Sequence, residues 1–513
     1  MGTFHSGPGA LTRSRESPEQ SAKRDLILLI SVFFVVKLVY SALIDLTPDE
    51  AYYWSWSNHL DLSYYDHPPM VAYLISLTTF FGYFDSPVMV RLGALLMGSG
   101  ISIVVYKMAS TVFKSFRAGF WAVVWLNLSL LFSLGASIIT PDTPQAFFSI
   151  LFIYFFYRTL FESLQDGFLW SGVFLGFALL SKYSAFLFIP AASLFLMLSR
   201  QHRPLLRKKE VYLMFLISLL LFSPVLLWNY SQNWASFQFQ VSHGLLSKSS
   251  HNSLLGFLEL LGTQLLLITP FLFFLLFVSA FYGWQRGKEE PVFLYLFCMS
   301  VPVLLFFFLV SFKTKIEGNW PSQGYLALIV LSGGVTAGFQ RIFLSDKNVN
   351  LFRKLKWASV ATASIIVFLA HLLAAAPPKF IVKKTSIAKR ILGWKDLGEK
   401  VTMLMTNAEF NPAFVITNGH QVSSEIEFYA EGSFEVFQTG EHYRYPYLKS
   451  SLRRQNGKNA LYLSGDRERN QIGHIKKFFE TVQELEPETV KRKGESVRGY
   501  KVYKCLNFRG GLL

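Results

Sequence analysis

DLILLISVFFVVKLVYSALI, residues 25–44, decides the fold. A hydrocarbon layer about 30 Å thick takes roughly 20 helical residues to cross, and this run supplies them with only Lys37 interrupting it. It is too long for the apolar part of a signal peptide and no small-x-small cleavage site precedes Thr47, so it reads as a retained membrane helix. The rest of the 513 residues agree: 52% are hydrophobic, 17% aromatic, and the mean hydropathy is +0.34, a composition expected of a chain with many spans.

The net charge of +16 falls largely in short connections between apolar runs and in the tail, the pattern of the positive-inside rule. Nucleic acid is therefore not expected as a partner, since no recognised binding motif accompanies the charge. Two cysteines, Cys298 and Cys505, are too few for a disulfide framework or a thiolate site, which argues against redox chemistry.

With the basic leader (Arg13, Arg15, Lys23, Arg24) in the cytoplasm, about eleven spans alternate across the bilayer. They cover residues 25–44, 87–107, 119–139, 143–157, 168–180, 184–198, 211–228, 254–282, 291–312, 321–339 and 357–376. Loops 46–86, 229–252 and 313–320 then face outward. The expected fold class is a polytopic α-helical membrane protein with a small C-terminal α/β domain in the periplasm. It divides into a cytoplasmic segment 1–24, with residues 1–19 disordered, a transmembrane catalytic domain 25–376, and a periplasmic domain 377–513. In the last, strands are expected at 413–417, 434–438, 460–463 and 497–503, and helices at 395–405 and 473–485.

The polar exception in this apolar chain is TPDEAYYWSWSNHLDLSYYDHPPM, residues 47–70. Asp49 and Glu50 follow the first span directly, where a carboxylate can accept a proton without deep burial in hydrocarbon. The plainer reading makes Asp49 a helix cap behind Pro48, with the aromatics as an interfacial belt. Asp66 and His67, fixed by Pro68 and Pro69, form a rigid corner suited to a phosphate or a divalent cation, or to no more than a turn. Asp142 stands at a helix entrance on the same face, where N-capping explains it equally well. Lys182 lies between short apolar runs, placed either to snorkel to the head groups or to bind an anionic lipid phosphate, and His243 in the second outward loop is as well explained as a surface residue. Lys313 and Lys315, on a face where lysines are disfavoured, suit an anionic substrate or simple anchoring, and Asn319 and Trp320 follow them.

No Walker, Rossmann or zinc-protease spacing is present. These residue types suit group transfer from a phosphate-linked donor: a carboxylate takes the acceptor proton, cations or a metal steady the departing phosphate, and Tyr52, Tyr53, Tyr65 and Trp320 stack on sugar or isoprenoid.

Five motifs carry a family resemblance: Pro48-Asp-Glu-Ala-Tyr-Tyr-Trp, Tyr65-Asp-His-Pro-Pro, Thr140-Pro-Asp-Thr-Pro, Leu180-Ser-Lys-Tyr-Ser and Gly318-Asn-Trp-Pro. Over residues 25–376 the chain resembles the bacterial dolichyl-phosphate-mannose-protein mannosyltransferase-like group of GT-C glycosyltransferases, whose relatives include the lipid A aminoarabinose transferase. The resemblance implies a polyprenyl-phosphate sugar donor, a cavity opening to the periplasm at the inner membrane, an acceptor such as lipid A, lipopolysaccharide, another envelope glycan or protein, and inversion at the sugar carbon. It makes Asp49 the catalytic carboxylate with Glu50 beside it, Asp142 a second cavity acid, and Asp66 and His67 the phosphate or metal region. Lys182 and His243 are weaker candidates. Where the aminoarabinose transferase has an acidic residue followed by Lys, this chain has Asp66 then His67, so a divalent cation stays open. A transporter or flippase of lipid-linked sugars is the alternative, weakened by the absence of a duplicated half.

Overall fold

The computed structural model describes residues 17–244, 253–338, 346–379, 382, 391–407, 409–432, 434–440, 442–465, 472–492 and 494–512. The disorder expected over residues 1–19 falls outside them at 1–16 and is corrected at Pro18 and Glu19, which open a helix, and the parts of the loops at 245–252 and 339–345 also lie outside them. Helix α1 (Pro18–Leu43) starts earlier than its apolar run because Ser17 and Gln20 close a capping box around Pro18. Ile27, Leu28, Val32, Val35, Val36 and Val39 are exposed along it, a face that only lipid covers favourably.

Two short helices, α2 (Pro48–Ser57) and α3 (Met70–Thr78), fill the expected outward loop and precede the long α4 (Pro87–Val112). Beyond them the spans are less regular than the hydropathy suggests. Residues 119–139 become α5 (Phe116–Leu128) and α6 (Leu130–Gly135), separated at Ser129. Helix α7 (Asp142–Phe161) packs on α8 (Gly167–Ser181), which passes through a 3-10 turn, Tyr183–Leu187, into α9 (Phe188–Leu198).

Helix α10 (Lys209–Ser231) is followed by α11 (Ala235–Gly244). The single span expected over 254–282 is instead α12 (Ser253–Ile268) and α13 (Pro270–Arg286), bent by 101°. Pro270 cannot donate to the preceding turn, and Thr269 takes up the change of direction with φ 72°. The apolar run at 291–312 is interrupted at Met299 and Ser300 between α14 (Pro291–Cys298) and α15 (Val301–Val310), which together still make one membrane-crossing length. Helix α16 (Ser322–Ala337) lies at the centre, its residues 322–336 all buried, and α17 (Asp346–Ala375) closes the set. Gly333 permits the close packing of α16 on α5, since a Cβ there would sit 2.4 Å from the Ala118 carbonyl oxygen.

Among the described residues five helical stretches are long and apolar enough to cross a membrane, α14 and α15 counting together as one, or six if the bent pair α12 and α13 also counts as one span. Together with the shorter apolar helices, they make this a multi-pass membrane protein.

After α18 (Trp394–Asn407), strand β1 (Phe414–Thr417), helix α19 (His420–Tyr429) and strands β2 (Glu435–Gln438), β3 (Ala460–Gly465), β4 (Phe479–Glu484), β5 (Glu488–Arg492) and β6 (Glu495–Phe508) form a six-stranded mixed sheet. Its order is β2-β1-β3-β6-β4, with β5 also on β6; β1 is parallel to both neighbours and β6 antiparallel to its own. The helix expected at 473–485 is confined to Ile472–Ile475, because residues 479–484 pair with β6 instead. Helix α19 lies on α2: the Tyr429 hydroxyl accepts from the Leu46 N–H at 2.7 Å, and Tyr445 joins Tyr52, Tyr53 and Trp56 in one buried aromatic cluster.

Glu427 lies in this contact beside Ser55, and burial pushes its carboxyl up from 4.5 to about 7. The folded protein therefore favours the protonated acid, so the stability it contributes is present below 4.5 and is lost as pH rises through about 7. Glu427→Gln is expected to flatten the fall in melting temperature of the full chain across that window. An unchanged pH profile in the variant would remove Glu427 as the cause.

Candidate active site

Helix α2 presents the two adjacent carboxylates to different surroundings. Thr47 precedes the helix, Pro48 opens it, and the Glu50 carboxylate reaches back to the Thr47 N–H at 2.9 Å, so the cap is Thr47 with Glu50 and not Asp49. Glu50 is fully buried and accepts Arg91 Nε and Nη2, each at 2.7 Å, and the Ile139 N–H at 3.0 Å. Arg91, on α4 and also fully buried, gives its remaining donors to the carbonyls of Ser41, Ile44 and Asp45 at 2.8–3.0 Å. Glu50 therefore belongs to the wall that fixes the end of α1, the start of α2 and residue 139, and does not line the cavity; the expected catalytic role is corrected on that ground. Arg91 escaped the sequence reading, although a lone arginine in an apolar run is the signal that finds it.

Asp49, one residue earlier, does line a cavity of ≈ 1040 Å³ between the helices and the C-terminal domain. Gln421 of α19 donates to its Oδ1 at 3.3 Å. Around the same space stand Tyr52, Tyr53, Asp66, His67, Asp142, Lys182, Asn319 and Trp320, so most of the sequence candidates converge. Asp66 accepts from the Tyr52 hydroxyl at 2.8 Å, and burial holds that phenol well above its ordinary value and so protonated. The Arg444 guanidinium also donates to both Asp66 oxygens and lies over the rings of Tyr65, Phe239 and Tyr443. Tyr65 is thus a platform for Arg444 and is not among the lining residues, which corrects its expected place on the substrate.

Asp142 opens α7 without capping it: Lys182 Nζ meets one carboxylate oxygen at 2.8 Å and Asn319 Nδ2 the other at 2.8 Å. Gln145, Gln323 and Ser184 form a second polar layer beside them through contacts of 2.5–2.8 Å. Lys182 is therefore paired as well as cavity-facing, and its side chain is only 10% exposed.

Lys313 and Lys315 do not join this group, a correction to the phosphate-binding reading. Both are exposed just past the end of α15, and Lys315 pairs with Glu317 at 3.1 Å. Interfacial anchoring accounts for them. The side chain of His243 lies outside the described residues. Arg444, His420 and Gln421 line the cavity from the C-terminal domain and were missed, because nothing local in a polar α/β domain marks residues that reach a membrane site.

The donor set does not fit a divalent cation at Asp66 and His67. The Asp66 carboxylate already faces a guanidinium, and among the described residues no three of His, Cys, Asp and Glu gather as metal ligands.

A core of apolar helices, a polar cavity and a small sheet domain over it make up the fold, and solved structures share it. Residues 66–228 are similar to the family model described as dolichyl-phosphate-mannose-protein mannosyltransferase, the group that the motifs resemble. Among curated proteins it is 27% identical over 308 residues to the lipid A galacturonosyltransferase RgtD of Rhizobium johnstonii, a match spanning 60% of this chain and 64% of RgtD, just under two thirds of that relative. The crystal structure of ArnT from Cupriavidus metallidurans bound to undecaprenyl phosphate superposes with a TM-score of 0.64 at 15% identity, covering 93% of this chain and 97% of ArnT. The archaeal oligosaccharyltransferase AglB from Archaeoglobus fulgidus, in complex with an inhibitory peptide and a dolichol-phosphate, gives 0.50 at 12% identity, covering 84% of this chain and 69% of AglB.

Proposed function

We propose that the chain is an inverting glycosyltransferase that moves a sugar from a polyprenyl-phosphate donor to an envelope lipid or glycan, lipid A or lipopolysaccharide first among them, on the periplasmic face of the inner membrane. The observation that carries the reading is Asp49: a carboxylate on a rigid helix, lining a cavity whose other walls bring cations and aromatic rings. RgtD and ArnT support the substrate class through their own names and, for ArnT, its bound undecaprenyl phosphate.

In the proposed step the acceptor hydroxyl oxygen attacks the anomeric carbon, the bond from that carbon to the phosphate oxygen breaks, and the acceptor proton passes to Asp49. The phosphate leaves with the bonding electrons as a polyprenyl monophosphate, stabilised by Arg444 and His67 on one wall and Lys182 on another. Tyr52, Tyr53 and Trp320 supply faces for the sugar and isoprenoid. Glu50 acts at one remove, by holding α2 in place. No metal enters this scheme. Residues 25–376 form the catalytic domain, and 377–513 contribute Arg444, His420 and Gln421.

The test is to incubate the purified full chain with a polyprenyl-phosphate sugar and a lipid A acceptor, beside the same assay in sealed vesicles. Glycosylated acceptor supports the reading. Translocation of intact lipid-linked sugar without transfer would replace it with the flippase alternative.

A further inference from the structure

The lysine that interrupts the first span belongs to the cavity. Lys37 is 6% exposed and lines the same space as Asp49, roughly six residues before the end of α1 and so about 9 Å inside that end at 1.5 Å per residue. An ammonium at such depth is costly and calls for a partner. Its hydrogen-bond partner is neutral: Nζ donates to Asn127 Oδ1 at 2.8 Å. The amide of Asn127 is turned that way by its other end, which donates to Ser102 Oγ at 3.1 Å and to the Val123 carbonyl at 3.0 Å. Phe33 adds a ring face 5.7 Å from the charge.

Among the described residues no carboxylate pairs with Lys37, in contrast to Lys182 and Arg444, whose charges are matched by Asp142 and Asp66. Of the three ammonium donors one is used, on a side chain that faces the cavity. The surrounding lining is Gly98, Ile101, Leu126, Leu131 and Phe132, which suits the apolar portion of an amphipath.

We propose that Lys37 and Asn127 form a second anion subsite, at the membrane-embedded end of the cavity, for a phosphate group carried by a lipid. This subsite is separate from the phosphate position at Arg444 and His67, and it rests on the reading of the cavity as a lipid-phosphate site. Two lipids carry that chemistry here: the polyprenyl monophosphate released by transfer, and a phosphorylated glycolipid acceptor.

Binding to the full chain in nanodiscs separates them. Wild type and Lys37→Met are each titrated with polyprenyl phosphate, with the corresponding polyprenol, with a phosphorylated glycolipid acceptor and with its dephosphorylated form. Lys37→Met is expected to weaken one phosphate lipid at least about tenfold, the scale of one charge-assisted hydrogen bond, and to leave its phosphate-free counterpart unchanged. The lipid affected names the source. The ligand-free variant is expected to melt at the same temperature or higher, because a desolvated charge has been removed.

Undiminished binding of both phosphate lipids by Lys37→Met would overturn the subsite while leaving the transfer reading intact. A lowered melting temperature with unchanged affinities would make Lys37 structural and also overturn it. Failure of the wild type to bind either phosphate lipid would overturn both readings.

Discussion

Asp49→Asn is expected to lower kcat by about 10²–10⁴-fold, the range general-base catalysis supplies, while donor binding persists. The substitution keeps the side-chain shape and a carbonyl oxygen to accept from Gln421, so α2 and the cavity wall are undisturbed. Only the ability to take the acceptor proton is removed. Steady-state kinetics with the donor varied separate the possibilities: a fall in kcat at nearly constant KM fits the proton-accepting role, whereas a rise in KM alone would make Asp49 a binding residue.

The second large effect is on folding. Arg91→Met leaves the Glu50 carboxylate buried beside an apolar side chain and withdraws donors from the carbonyls of Ser41, Ile44 and Asp45. Breaking a buried pair from one side costs about 3–5 kcal/mol, far more than a surface ion pair, because the remaining charge has no solvent to return to. Glu50→Gln is expected to cost less, since the amide can still accept from Arg91 through its oxygen, although its NH₂ then faces a guanidinium. Activity should fall in both variants, since the same contacts seat the helix that carries Asp49. Thermal unfolding in nanodiscs reads the difference; a loss near that of a surface pair in Arg91→Met would mean the seat is held by other contacts.

The apolar runs placed the long helices α1, α4, α10 and α17, because hydrocarbon demands long runs of apolar residues whatever the tertiary fold. The interruptions were harder to see. The 101° turn between α12 and α13 depends on Pro270 acting where two apolar segments abut, and hydropathy averaged over 254–282 conceals it. In the C-terminal domain the β-branched and aromatic runs marked β1, β2, β3 and β6 correctly. Residues 479–484 misled because Glu and Gln favour helices locally, while pairing with β6 decides the outcome.

At the site, Asp49, Asp66, His67, Asp142 and Lys182 were legible because loop chemistry next to spans is rare and each stood out against lipid-facing sequence. Their partners were not. Arg444 meets Asp66 across 378 positions of sequence, and no local pattern announces such a contact. Glu50 and Asp49 look equivalent in sequence; only Arg91 and the Ile139 N–H, brought together by packing, separate the carboxylate held in the wall from the one that lines the cavity. The lysines at 313 and 315 invited the reverse error, since charge on the right face does not guarantee that a side chain turns into the cavity.

The most direct measurement is the stoichiometry and stereochemistry of a single turnover with purified wild-type chain, a polyprenyl-phosphate sugar and a lipid acceptor. The account predicts one polyprenyl monophosphate released per sugar transferred, with the anomeric configuration inverted in the product. Retained configuration, or consumption of donor with no glycosylated acceptor, would contradict it.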